Sequence, residues 1–203
     1  MKGFAWDISL FLNQYSDLIV KTVNPEDTSE SMMANEDYAR IMGGELELSY
    51  EERDLFPKGC SVRAGCSVSY CAGDSFDDGD GQWDIASSGE PLSGIPPARI
   101  RPNVRVSYAA AERKYFLEVE VDNSLEKTRI PDELGEATWN NKDVDAYSLV
   151  NLSAGVALFN YACLEEVRFN VSVSNAFDTR YYPFGSHIPG RGRDIRMLLS
   201  FAY

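Results

Sequence analysis

The sequence predicts an all-β protein, an up-and-down antiparallel transmembrane β-barrel of about eight strands, and three observations carry that prediction. Apolar residues recur at every second position through most of the chain, the period of a strand with one oily and one wet face. No stretch shows a helical period, and none approaches the ~18 consecutive apolar residues of a spanning helix. The connectors alternate short and long, as they do when strands run up and down between tight turns and elaborated loops.

The first strand sets Phe4, Trp6, Ile8, Leu10 and Leu12 against Asp7, Ser9 and Asn13. The second alternates Gly44, Leu46, Leu48 and Tyr50 with Glu45, Glu47 and Ser49, and the third runs from Val62 to Tyr70 in the same rhythm. The fourth places Ile100, Pro102, Val104, Val106 and Tyr108 opposite Arg99, Arg101, Asn103, Arg105 and Ser107. Leu117, Val119 and Val121 then alternate with Glu118, Glu120 and Asp122. Two further strands cover Val150 to Leu158 and Val167 to Ser174, and the last puts Ile195, Met197, Leu199, Phe201 and Tyr203 on one side. Short connectors are expected at Asp54 to Gly59, Ala111 to Lys114 and Tyr161 to Glu166. Long ones are expected at Thr22 to Asn35, Phe76 to Pro97 and Arg129 to Ala146, with a medium one at Gly185 to Gly190.

The charge balance narrows the function. With 32 acidic against 19 basic side chains in 203 residues, the formal charge is -13. A nucleic-acid binder needs a positive surface that displaces phosphate counterions, so no nucleic-acid partner is expected. The single histidine, His187, excludes histidine-based triads and zinc sites. No nucleophile elbow, phosphate loop or paired-carboxylate site stands out, so neither an enzyme nor a cofactor is expected. Asp77, Asp78 and Asp80 crowd one glycine-flexed loop with Asp74 and Asp84. Their spacing does not match an EF-hand and lacks its bidentate glutamate, which favours a solvated outer loop over a calcium site.

The cysteines can be placed by strand geometry. Cys66 and Cys71 lie on one strand roughly 16 Å apart. Cys60 and Cys163 lie on strands three apart, about 14 Å, beyond the ~7 Å reach of a disulfide. No disulfide is expected, and Cys66 falls on the oily face. Residues 1–20 carry Asp7, Asn13, Gln14 and Asp17 where an export signal would be apolar, so no signal peptide is read.

Alternation alone also suits a soluble β-sandwich acting as a binding or adhesion module. Strand length, the repeated charges on the wet face, and aromatics near strand ends (Phe4, Trp6, Tyr50, Tyr108, Tyr147, Phe159) favour the membrane barrel. A small closed outer-membrane barrel with a structural role is a third reading.

The stretch from Tyr147 to Tyr203 adds a resemblance. It carries Asn175, Ala176, Phe177, Asp178 and Tyr181 in the pattern N-A-F-D-x-x-Y, then Pro189, Gly190 and Arg191, and an aromatic at Tyr203. This resembles the closing strands of TonB-dependent outer-membrane receptors. Upstream, Phe11 to Ile19, Asn35 to Glu47 and Pro91 to Arg99 continue the likeness. The resemblance implies an outer-membrane location in a Gram-negative bacterium and a parent function of energy-coupled uptake of a scarce nutrient of the ferric siderophore, haem or cobalamin class. It also implies outer-membrane lipid and the barrel-assembly machinery as partners, the latter reading the last strand. Such receptors resemble a ~22-stranded plugged barrel, so residues 1–203 look like its C-terminal portion, with no plug domain, TonB box or signal peptide. The missing N-terminal barrel and plug would then be partners, and TonB would be met only through them. Whether the chain is a truncated or split gene product or a stand-alone protein stays open.

Within the motif, Asn175 and Asp178 are expected to satisfy backbone donors where the ladder ends, and Gly190 and Gly192 to bend the chain into the next strand. Substrate contacts are expected on the long loops and the wet face. Trp83 and Tyr182 are the candidate aromatic contacts, and Arg99, Arg101 and Arg105 the positive groups able to attract an anionic chelate.

Overall fold

A computed structural model describes residues 2–24, 27, 30–55, 57–76, 89–130, 145–161 and 163–203. Among these the chain forms nine strands. They are β1 (Lys2–Val23), β2 (Ser31–Leu55), β3 (Cys60–Phe76), β4 (Glu90–Pro91), β5 (Arg99–Ala110), β6 (Arg113–Ser124), β7 (Tyr147–Tyr161), β8 (Leu164–Ser174) and β9 (Asp194–Ala202). Every pairing is antiparallel, and the spatial order β1-β2-β3-β5-β6-β7-β8-β9 is the sequence order, with the two-residue β4 beside the far end of β3. The sheet is open: β1 and β9 each pair on one side only among the described residues. No helix among them is long and apolar enough to cross a membrane.

Directly opposed residues share a face, so the register carries each strand's alternation across the whole sheet. One layer reads Phe4, Tyr50, Ala64, Val104, Val119, Leu152, Val173, Ile195. The adjacent layer reads Gly3, Glu51, Arg63, Arg105, Glu118, Ser153, Ser172, Arg196. One sheet face is thus apolar and the other polar over eight strands. Pro102 on β5 has no N–H to donate, and the β5–β6 ladder skips Arg101 and Pro102 without shifting register.

The apolar face is uncovered. Leu10 is 81% exposed and Trp6 64%, whereas the buried apolar residues among those described are Ala39, Ala72, Phe76, Leu92 and Leu149. A water-soluble sandwich would bury that face against a second sheet. Here the apolar residues point out and the charges share the other face, the inside-out arrangement of a barrel in lipid.

The structure corrects three expectations. Half of the long connector Thr22 to Asn35 is ladder, because β1 and β2 continue to the pair Val23 and Ser31. The medium connector Gly185 to Gly190 is the middle of a longer one, residues 175–193, between β8 and β9. Asp74 is not in a solvated loop; it lies in β3 and is buried. The short turns fall at Leu55 to Cys60, Ala110 to Arg113 and Tyr161 to Leu164, all at one end of the sheet, with the longer connectors at the other. Ala111, in the middle one, takes a φ of 45°. The four cysteines are free thiols, and Cys66 sits on the apolar face opposite Leu48 and Pro102.

Candidate functional site

The polar face is a ladder of matched charges. Arg99 reaches Asp122 at 2.5 Å and Arg101 reaches the other oxygen of the same carboxylate at 3.2 Å. Arg105 meets Glu118 at 3.3 Å while its guanidinium carbon stacks 3.9 Å from the Phe116 ring centroid. The acidic strand β6 pairs directly with the basic strand β5, so each arginine finds its acid one strand away. Asn151 donates to Glu120 at 3.0 Å and carries the polar layer into β7. These half-exposed pairs each contribute about 0–1 kcal/mol. Their larger effect is to fix the register and cancel the basic stripe that the sequence suggests. The three arginines are brought together on one wall, and each arrives with a counter-charge.

Glu45 and Glu47 face Ser69 and Ser67 on β3 rather than basic residues, and Asp7 stands directly opposite Glu47. A groove of about 450 Å³ runs over this part of the polar face, between Asp7, Glu47, Arg63 and Asn103.

A second site, absent from the sequence expectations, lies at the long-connector end. Where β5 begins, β3 runs on past its partner, and the chain before β5 folds back along it through β4 and the N–H of Leu92, which donates to the Gly73 carbonyl at 3.0 Å. The chain leaving β6 follows the same course, the Leu125 N–H donating to Ala98 O at 2.9 Å. Between them lies a cavity of about 300 Å³ lined by Leu92, Ile95, Pro96, Leu125, Lys127 and Arg129. Asp74 is pinned beside it by Arg129 at 2.6 Å and Arg40 at 3.5 Å, and Arg40 stacks 4.9 Å from the Phe76 ring centroid. Lys127 is buried with its ammonium 4.6 Å from the Phe184 ring centroid, and burial pushes its pKa below a lysine's usual value. Arg40, Lys127 and Arg129 stand here with the buried Asp74 and with Glu126, which joins Lys127 and Arg129 in the lining, so the recess is partly apolar and carries charges of both signs. The sequence gives little sign of this cluster, because Asp74 and Arg129 are 55 residues apart.

The β8–β9 connection closes the same end. Asn175, with a φ of 50°, is buried. Its N–H donates to Asn151 Oδ1 at 3.0 Å, and its Nδ2 donates to the carbonyls of Thr179 at 2.8 Å and Arg191 at 3.1 Å. Its Oδ1 accepts the Thr179 N–H at 2.8 Å. Asp178 Oδ1 accepts the Arg193 N–H at 2.8 Å. Tyr181 stacks on Tyr147 with centroids 4.6 Å apart, and its carbonyl accepts the Gly190 N–H at 2.8 Å. Gly190 and Gly192, expected where the chain bends back into a strand, are not among the glycines with a positive φ. A Cβ on Gly190 would collide with the Tyr181 ring, and one on Gly192 would press on the Asp178 carboxylate, so these glycines supply room rather than freedom. Phe177 and Tyr203 are exposed on this terminal region, and Arg191 contributes its carbonyl.

Tyr182 is exposed on this connection and accepts a 3.5 Å contact from Arg180, apart from the cavity lining. Trp83, Asp77, Asp78 and Asp80 lie outside the described residues.

Comparison with known proteins places this architecture. A family model described as TonB dependent receptor-like, beta-barrel matches residues 2–176. No curated protein matches the chain. Among solved structures, the copper transporter OprC superposes with a TM-score of 0.69 at 19% identity, over 98% of this chain and 29% of that one. That is a likeness of fold, and the chain spans less than a third of the transporter's length.

Proposed function

Because the chain belongs to the TonB-dependent receptor β-barrel family, we propose that it forms the C-terminal wall of an outer-membrane receptor that takes up a scarce metal-bearing nutrient. The observation that carries this reading is the pair of unlike faces: an uncovered apolar face for lipid and a charged face for a water-filled lumen. On this reading β1 and β9 pair with the remaining barrel strands, and the plug and TonB contact come from that remainder. The barrel-assembly machinery reads the apolar stripe from Ile195 to Tyr203. The family is one of receptors rather than enzymes.

For the cargo, we infer an anionic chelate of the ferric siderophore, haem or cobalamin class. Lys127 and Arg129 in the cavity lining, beside Glu126, offer cationic contacts to such a guest, and Arg99, Arg101 and Arg105 extend a polar track below it. Tyr182 and Trp83 are retained as aromatic contacts of the loops. Copper is the second reading, favoured by the fold of the OprC transporter.

The test is uptake in a host lacking the gene, complemented with the wild-type gene or with K127M/R129Q. Ferric chelate, haem, cobalamin and copper would each be supplied as the sole limiting source. The reading expects the wild type to restore growth on one anionic chelate and the variant to lose it. Restoration on copper alone would move the cargo to the second reading. Recovery of the protein as a folded soluble monomer would overturn the receptor assignment.

A further inference from the structure

Three phenylalanine rings among the described residues carry a cation: Phe76 under Arg40, Phe116 under Arg105 and Phe184 under Lys127. Phe11 differs from them. It follows Asp7 and Ser9 at the two-residue period of β1 and stands opposite Gly43, which in turn stands opposite Cys71, so the layer Phe11, Gly43, Cys71 belongs to the polar face. Among the described residues no cation and no second ring covers Phe11, and it is 40% exposed.

The ring has a built seat. A Cβ on Gly43 would lie 2.6 Å from Phe11 Cζ and would strike the Tyr70 carbonyl oxygen, so glycine is what lets the ring tip rest over β2 beside the backbone of β3. Tyr70 and Cys71, the residues it reaches, are part of the lining of the cavity of about 300 Å³. Gly73, two residues further on the same face, clears the other side: a Cβ there would lie 2.6 Å from Ile95 Cδ1 and 3.2 Å from Leu92 Cβ. Phe11, Cys71, Ile95 and Leu92 therefore form one apolar shelf on the polar face, and it runs into the recess that holds Lys127 and Arg129. A phenyl ring with backbone beneath it and nothing above it is a stacking surface. Set beside cationic groups, it suits a guest that is flat and apolar over its ring and anionic at its edge.

We propose that Phe11 is a cargo contact, stacking on the flat conjugated ring of a metal chelate whose acidic substituents reach Lys127 and Arg129. This rests on the receptor reading and narrows its cargo to a planar macrocycle or an aromatic chelator, against a chelate built of carboxylates without a ring.

The full chain would be extracted from outer membranes in mild detergent and titrated with iron uroporphyrin, a planar water-soluble polycarboxylate, and with ferric citrate, which has no ring. One stacking partner is worth about tenfold in affinity, so F11A should weaken iron uroporphyrin binding about tenfold and leave ferric citrate binding unchanged. F11Y should bind as the wild type does. F11L fills the space over Gly43 without a π face, so it should fall between F11A and wild type, and it carries the test if F11A does not fold. In a C60S/C66S/C163S background, iron uroporphyrin should protect Cys71 from a water-soluble maleimide, which locates the guest on the shelf. Equal iron uroporphyrin binding by wild type and F11L, with both in the outer membrane, overturns the contact alone. Equal weakening of both probes in F11L and F11Y also overturns it, since the ring would then serve the fold rather than the guest. No binding of iron uroporphyrin by a wild type that restores uptake of another chelate overturns the planar cargo and leaves the receptor reading standing. Absence of the wild type from the outer membrane overturns both.

Discussion

The two faces of β5 are written in one stretch of twelve residues and have opposite surroundings. Arg99, Arg101 and Arg105 meet Asp122 and Glu118, while Ile100, Val104 and Val106 between them join an apolar face that nothing covers. On β5 the polar face is complete in itself, since its three arginines are answered within the sheet. The apolar face is incomplete without an apolar surround, and its exposed leucines, valines and aromatics would otherwise cost about 25 cal/mol for each Å² left in water. The contrast shows where the protein needs its environment: lipid on one face, and on the other only water and a guest.

The sharpest way to break this contrast is to place the same charge on both faces at neighbouring positions. Val104→Arg should destabilise the folded form by about 2–4 kcal/mol in a bilayer, whereas Asn103→Arg, beside Glu120, should change it by less than about 1 kcal/mol. The urea midpoint of the heat-modifiable gel shift reads both. Equal losses would mean that the two faces see the same medium.

A second difference separates the regular ladder from the β8–β9 connection, which has no ladder and is tied by side chains. Asn175→Ala removes three hydrogen bonds from a buried site and leaves alanine at a φ of 50°. A loss of about 2–3 kcal/mol is expected, with protease cleavage between residues 175 and 193 as its local signature. Gly190→Ala should cost about 1–2 kcal/mol by displacing the Tyr181 ring from Tyr147. That loss should largely vanish in a Tyr181→Ala background, because the collision is then gone. The smallest effect belongs to the ladder itself. A double-mutant cycle on Arg105→Ala and Glu118→Ala should give a coupling of about 0.5 kcal/mol. A coupling several times larger would mean that the pair is far drier than its half-exposed side chains indicate.

The faces were legible in the sequence because a period of two survives any loop length and any strand count. Once Val104 is known to be apolar and Arg105 charged, register carries the same division to Val119 and Glu118 and on across the sheet. The upper half of the β1–β2 hairpin was not legible. Asn35, Glu36 and Asp37 interrupt the apolar alternation, while the backbone pairing of β1 with β2 continues through this stretch. The Arg40, Asp74 and Arg129 cluster was hidden for another reason. It joins residues far apart in sequence, and a carboxylate between two arginines looks, in one dimension, like any surface aspartate. The roles of Asn175 and Asp178 followed from what Asx side chains do at ladder ends, while the role of Gly190 did not, because a glycine needed for room reads the same as one needed for a turn.

The central claim is that the apolar face lies in hydrocarbon, and Trp6 on that face, 64% exposed, reports on it directly. The measurement is Trp6 fluorescence in a W83F/W139F background, with the protein in bilayers whose acyl chains carry bromine, against aqueous iodide as the competing quencher. The account expects strong quenching by the brominated chains and little by iodide. Strong quenching by iodide with none from the acyl chains would place the face in water and contradict it.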